Sequence, residues 1–398
     1  MKPVAITRMT VTSALGAGNE THLQALRDGR SGLAPCRFED VALTCHVGEV
    51  AGVDAIALPA ELETHDCRNH RLAWLGLQQN GFRAAVRAAR ERYGAQRVAV
   101  LLGSSTSGIL QTEHAYRRRG PDGALPADFH YAETHNTGSL ARFVALALQL
   151  DGPQWVVSTA CSSSAKVFAA AARLMELGWI DAAVVGGVDS LCLTTLYGFN
   201  SLELLSPQIC RPWDAGRNGL SLGEAAAFAL LERNASGTPE MPEPQGWLLG
   251  TGESSDGFHM SSPLPDGGGA VDAMQQALAG AGLQPGDIDY INLHGTATHN
   301  NDAAEDRAVQ TVFGPATPCS STKGATGHTL GAAGGVEAVL SLLALQHGLL
   351  PGGLNRLQPD AELLSNYVDQ SRAAPLRRVL SNSFGFGGSN ASLVFGAA

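Results

Sequence analysis

The sequence predicts an α/β protein with largely parallel sheets covered by helices on both faces. Three observations carry this expectation. Strand-length apolar runs alternate with longer helical patterns along the 398 residues. The runs are apolar without clean alternation, as strands buried on both faces are. Glycine is abundant, 47 residues, which fits many tight turns and close backbone approaches.

In chain order, 97–103 is a short apolar run ending in Gly and Ser, and 155–159 is a second strand. A helix follows Cys161 through Lys166, Val167, Phe168, Ala172, Leu174 and Met175, with Gly178 as its stop. Residues 182–187 form a third buried strand. The same grammar resumes with a strand from Trp247, a helix near 270–283 and a strand over 289–293. Helices at 302–313 and 331–346 and strands at 378–381 and 391–395 complete the pattern. The Pro- and Ser-containing stretch 234–245 is the clearest linker, and it divides the chain into halves 1–235 and 246–398. An apolar strand precedes a Cys-Ser-Ser tripeptide in each half, at Cys161 and at Cys319, a hint of internal duplication.

Composition sets the class. With 44% hydrophobic and 16% charged residues the chain is an ordinary globular protein. A net charge of -10 argues against general nucleic-acid binding, which needs a basic surface. The apolar runs fall short of the roughly 20 residues that span a bilayer, and the first residues lack a signal-peptide pattern. A cytoplasmic protein with no membrane span is expected. The seven cysteines (36, 45, 67, 161, 192, 210 and 319) contain no CxxC pair, so no metal site is expected.

Cys161 has the setting of a nucleophile. It lies where a buried strand turns into a helix, among small residues, and the helix dipole and free N–H groups there predict a lowered thiol pKa. The same N–H groups suit an oxyanion. Taken alone, a cysteine beside serines reads more readily as a buried core residue next to an N-cap.

The surrounding sequence narrows this. Thr159-Ala-Cys-Ser-Ser163 resembles the nucleophile segment of β-ketoacyl-acyl-carrier-protein synthases. The remaining segments of that family follow in order: Arg211-Pro-Trp-Asp214, Ser255-Asp-Gly-Phe-His259, His294-Gly-Thr-Ala-Thr298 with Asp302 and Glu305, Lys323-Gly-Ala-Thr-Gly-His328 with Glu337, and Asn382 to Asn390. The resemblance spans nearly the full length. It implies a thiolase-like fold, two similar α/β halves in a layered αβαβα architecture. The N-terminal half would carry the cysteine and the C-terminal half both histidines.

The implied reaction is a decarboxylative Claisen condensation. Cys161 would hold the acyl chain as a thioester. His294 and His328 would donate hydrogen bonds to the enolate left when malonyl thioester loses CO2. Lys323 would order the site with Glu337 as its partner, although a purely structural buried ion pair fits those two residues equally. The backbone N–H groups of Cys161 and Phe386 would form the oxyanion hole, with Phe384 guarding the pocket. Thr296 and Thr298 would bind the phosphopantetheine arm of an acyl carrier protein, which carries the substrates, so no free cofactor is implied. Thr106 and Phe199 would line the acyl pocket.

Departures qualify the resemblance. Asn382 to Asn390 holds no second cysteine, unlike degradative thiolases, and the second histidine separates the chain from synthases that pair Cys with His and Asn. The segment from Gly186 to Ser206 resembles the synthase I type more than synthase II. His299-Asn300-Asn301 stands where a Pro-containing turn is usual. The small polar residues Ser104 to Gly108 would suit a long, rigid or polar chain, as in aryl polyene or polyketide synthesis. An acidic carrier protein needs a basic dock, for which Arg68, Arg71, Arg117 and Arg118 stand out. The active species is expected to be a homodimer or a heterodimer with a ketosynthase-like chain. The alternatives are a subunit active only beside a chain-length-factor-like partner, and a thioester hydrolase.

Overall fold

The computed structural model describes residues 1–233 and 242–398, so most of the expected linker lies outside the described residues. A twelve-stranded sheet runs through the molecule. In chain order the strands used below are β1 (Val4–Ser13), β2 (Ala34–Pro35), β3 (His46–Gly48), β4 (Val98–Gly103), β5 (Gln154–Val157), β6 (Ala182–Asp189) and β7 (Leu222–Gly223). They continue with β8 (Ala225–Glu232), β9 (Gly246–Ser255), β10 (Tyr290–Asn292), β11 (Pro318–Ser320), β12 (Asn366–Tyr367), β13 (Arg378–Gly385) and β14 (Ser389–Gly396). The large sheet has the order β12-β11-β10-β13-β14-β9-β1-β8-β6-β4-β5, with the two-residue strand Gly16–Ala17 paired to β1 as its twelfth member, while β2, β3 and β7 form a small separate sheet.

The order repeats itself about the centre. Outward from β1 run β8, β6, β4 and β5; outward from β9 run β14, β13, β10 and β11. In each half the two inner pairings are antiparallel and the next two parallel. The halves meet where Val4, Ala5 and Ile6 of β1 pair with Leu248, Trp247 and Gly246 of β9. The sheet is therefore mixed, not largely parallel as the alternating pattern suggested. Cys319 lies in β11 and Cys161 just past β5, the corresponding strand of the other half.

Helices α1 (Arg68–Leu77), α2 (Ser139–Leu148), α3 (Ser163–Glu176), α4 (Leu193–Ser201), α5 (Gly268–Ala281), α6 (His299–Phe313) and α7 (Ala333–His347) fill the layers. Helices α3 and α7 touch strands of both halves and form the middle layer; α5 covers β9 and β14 from outside, and α1 and α2 cover the other half. The result is helix, sheet, helix, sheet, helix. Residues Leu330–His347 are apolar enough to cross a membrane by composition, with a mean hydropathy of 1.2, yet 89% of that stretch is buried in the protein. Its hydrophobicity belongs to the central layer.

Two central strands, β1 and β8, escaped the sequence reading. Ala225 to Ala229 is alanine-rich, which favours helix over strand; only burial between two neighbours makes it a strand. Close packing fixes the middle layer. A Cβ on Gly103, at the end of β4, would lie 2.3 Å from the backbone nitrogen of Ser164. Only glycine lets the first turn of α3 rest on that strand.

Candidate active site

Cys161 sits in the turn from β5 to α3, directly before the N-cap Ser162. Ala160 adopts φ +53°, a left-handed conformation unusual for a residue with a side chain. This sharp turn aims Cys161 away from the strand and toward the C-terminal half. Its Sγ lies 3.0 Å from Nε2 of His328 and has the Phe386 N–H as a neighbour. The expectation of a lowered thiol pKa is overturned. Burial dominates and pushes Cys161 up to about 11, although Lys323 and the Phe386 N–H pull the other way. The resting group is a thiol.

Both histidines are fixed through their own backbone groups. His294 follows β10, and its N–H and that of Gly295 donate to the Glu305 carboxylate at 2.7 and 2.8 Å. His328 is held against β7 by its own N–H to Ser221 O at 2.8 Å and by Gly223 N–H to its carbonyl at 2.9 Å. The imidazoles meet edge to face, with centroids 5.3 Å apart. The Lys323 ammonium donates to Glu337 and to the His294 carbonyl, and lies 3.4 Å from His294 Nδ1.

Those contacts set the ring protons. Burial first, then Lys323 and His328, hold His294 well below 6.5; burial and then Lys323 do the same for His328. Both rings are neutral and carry one proton. Nδ1 of His328 accepts from the Leu330 N–H at 3.2 Å, and Nδ1 of His294 faces the Lys323 ammonium. The proton of each ring therefore sits on Nε2. The ligand atoms of Cys161, His294 and His328 lie within 4.8 Å of one another, a grouping with the composition of a metal site. Metal binding at Nε2 requires a bare lone pair there, whereas both rings present N–H. The same two N–H groups suit a developing oxyanion.

The cluster lies at the base of a cavity of about 380 Å³. Polar residues Thr296, Thr298, Asn218, Ser261, His299 and Asn300 line it together with the apolar Phe199, Leu202, Leu204, Phe384 and Phe386. The Thr296 and Thr298 hydroxyls are 2.9 Å apart, leaving one hydroxyl hydrogen of the pair free to turn elsewhere. Phe199 stacks on Phe386 with centroids 5.5 Å apart, and Phe384 lies against His294. Gly385 fits tightly: a Cβ there would be 2.7 Å from Thr159 O and 3.2 Å from Cys161 N.

Other predicted positions fall elsewhere. Thr106 is buried outside this cavity, and its hydroxyl donates to Asp189 at 2.6 Å. Asp189 also accepts from the Ser104 hydroxyl and from the N–H groups of Ser105, Thr106 and Ala332. The polar atoms of this segment are thus largely consumed internally, so its polarity does not argue for a polar acyl chain. Arg68, read as a docking residue, is 2% exposed and pairs with the fully buried Glu224 at 2.6 Å and with Asp54 at 2.5 Å. It is a core ion pair. Arg71 is paired with Asp66, and Arg118 with Asp128; Arg117 is exposed. Sequence reasoning assigned no part to Asp189 or Asn218, because the partners of Asp189 and the cavity wall that Asn218 joins come from residues remote in sequence.

Comparison with known proteins agrees with this geometry. Residues 1–236 match the β-ketoacyl synthase N-terminal domain family and 246–356 the β-ketoacyl synthase C-terminal domain family. A 3-oxoacyl-[acyl-carrier-protein] synthase 2 of Synechocystis is 32% identical, over 99% of this chain and 98% of its own. That name differs from the synthase I resemblance of the segment after Gly186. The ketosynthase ApeO of Xenorhabdus doucetiae, solved with its chain length factor ApeC, superposes with a TM-score of 0.90 at 38% identity, covering 99% of this chain and 98% of that one. The ishigamide ketosynthase/chain length factor gives a TM-score of 0.90 at 26% identity, covering 100% and 99%.

Proposed function

The chain belongs to the β-ketoacyl synthase family, and from that premise we propose that it condenses a Cys161-bound acyl chain with malonyl-acyl carrier protein in fatty acid or polyketide synthesis. The observation that carries this reading is the convergence of one thiol and two Nε2–H groups at the base of a cavity. In the first step the Cys161 sulfur attacks the acyl thioester; the carrier leaves as a thiol bearing the proton that Cys161 gives up. The Phe386 N–H, a neighbour of the sulfur, would donate to the tetrahedral oxyanion.

In the second step malonyl-carrier loses CO2, and the enolate oxygen takes hydrogen bonds from His294 and His328. Neutral donors serve here, because the oxygen needs stabilisation and the product carbon needs no proton. One such donor contributes on the order of 3 kcal/mol. The enolate carbon attacks the Cys161 thioester, giving β-ketoacyl-carrier and returning the sulfur, which takes up one proton. Thr296 and Thr298 hold the phosphopantetheine arm, and Lys323 with Glu337 positions His294. A hydrolase needs a base to activate water; two rings presenting N–H into the pocket favour condensation over hydrolysis.

The active assembly is a dimer with a ketosynthase-like chain. Two of the solved relatives are ketosynthases with a chain length factor, which favours a heterodimer of that kind and a polyketide or aryl polyene product. The cytoplasm is the place of action. Mixing the enzyme with acyl- and malonyl-carrier tests the reaction. The reading predicts a β-ketoacyl-carrier of the summed mass less CO2, and product only after adding a chain-length-factor-like chain marks the heterodimer. Free fatty acid as the sole product would contradict condensation.

A further inference from the structure

Two cysteines outside the reaction centre face each other across a hairpin. In β2 and β3 Ala34 pairs with Val47 and Pro35 with His46; one step further the register sets Cys36 opposite Cys45, and Cys36 N–H donates to Cys45 O at 2.9 Å. Residues directly opposite in an antiparallel pair have Cα atoms about 4.5–5.5 Å apart and side chains on one face. That spacing lies inside the range a disulfide bridges. The two thiols are direct neighbours in one apolar cluster, Cys45 buried and Cys36 half-buried.

We propose that Cys36 and Cys45 form a reversible cross-strand disulfide that staples the loop packed on α4, the helix carrying Phe199. The staple would close residues 37–44. From that loop Phe38, Val41 and Leu43 join Leu196 and Phe199 in the same cluster, and the Ala42 N–H donates to the Tyr197 hydroxyl at 3.2 Å. The hairpin also leads into the reaction centre: Val47 of β3 pairs with Leu222 of β7, which bridges to His328.

The oxidant is a small-molecule disulfide. The half-exposed Cys36 attacks one of its sulfurs as a thiolate, releasing one thiol and leaving a mixed disulfide. Cys45 then attacks the Cys36 sulfur and expels the second thiol. The protein loses two hydrogens and the oxidant gains them. Burial first, then the adjacent Cys36 thiol, push Cys45 up to about 12, so closure is slow at neutral pH and faster in alkali.

Oxidised glutathione is the probe, added to the full chain near about pH 8.5, where more thiol is ionised. Free thiols are then blocked, and the denatured chain is digested with trypsin. Cleavage after Arg37 places the two cysteines on different peptides, so a disulfide gives one linked mass that separates on reduction. The expected result is that linked mass as the main product at Cys36, its absence in Cys36→Ser, and a glutathione adduct accumulating on Cys36 in Cys45→Ala. Oxidation should also raise Tm by about 3 °C, reversibly. A glutathione adduct on Cys36 with Cys45 still free in the unsubstituted protein would overturn the proposal. This readout is a peptide mass and is independent of the condensation reaction.

Discussion

Nε2 of His328 lies 3.0 Å from Sγ of Cys161, and it carries the ring proton because Nδ1 is occupied by the Leu330 N–H. The histidine thus donates to the sulfur instead of removing its proton. Burial keeps Cys161 protonated at neutral pH, with the thiol at about 11. Thiolate is the reactive form, so alkylation of Cys161 in the free enzyme should rise roughly tenfold per pH unit between about pH 7 and 10. Lys323→Met removes a cation that lowers this pKa and should slow alkylation further. Following iodoacetamide labelling of Cys161 by peptide mass checks both; a rate that levels off near neutrality would contradict the assignment.

Gly385→Ala should damage the nucleophile without touching either histidine. The added carbon would meet Thr159 O at 2.7 Å and Cys161 N at 3.2 Å, both backbone atoms of the turn that aims the sulfur. The expected outcome is a loss of acyl transfer to Cys161 of at least about tenfold, consistent with the cost of small displacements in reacting groups. Intact-mass measurement of acyl loading over time reads it directly, and an unchanged loading rate would show that the turn accommodates the methyl group.

Arg68→Met separates a core role from a docking role. Removing the guanidinium leaves Glu224, fully buried, facing no cation. Stability should fall by about 3–5 kcal/mol, the typical cost of breaking a buried pair. Denaturant unfolding measures this. Unaltered stability with a raised KM for carrier protein would restore the docking interpretation.

The sequence made much of the site legible, for a physical reason. Cys161 and His294 each follow a strand end, so each is announced by an apolar run and a turn within a few residues, while His328 is announced by the segment from Lys323. Short-range patterns of this kind survive in a linear reading. The pKa of Cys161 did not, because it depends on burial by residues remote in sequence, and burial outweighs the helix terminus next to it. Arg68 was misread for the same reason. A basic residue near another looks like surface until Glu224, 156 positions away, is found against it. The central strand Ala225–Glu232 was hidden by its alanines, whose local preference the tertiary pairing overrides.

In this mechanism His294 and His328 stabilise the enolate while Cys161 only holds the acyl chain. CO2 release from malonyl-carrier, measured for Cys161→Ala and for Cys161→Ala combined with His294→Ala, tests it most directly. The single variant should release CO2 and form no β-ketoacyl product. The double variant should release it at least about a hundredfold more slowly, the scale expected for losing one preorganised donor. Equal rates in the two variants would show that His294 does not serve the decarboxylation and would contradict the mechanism.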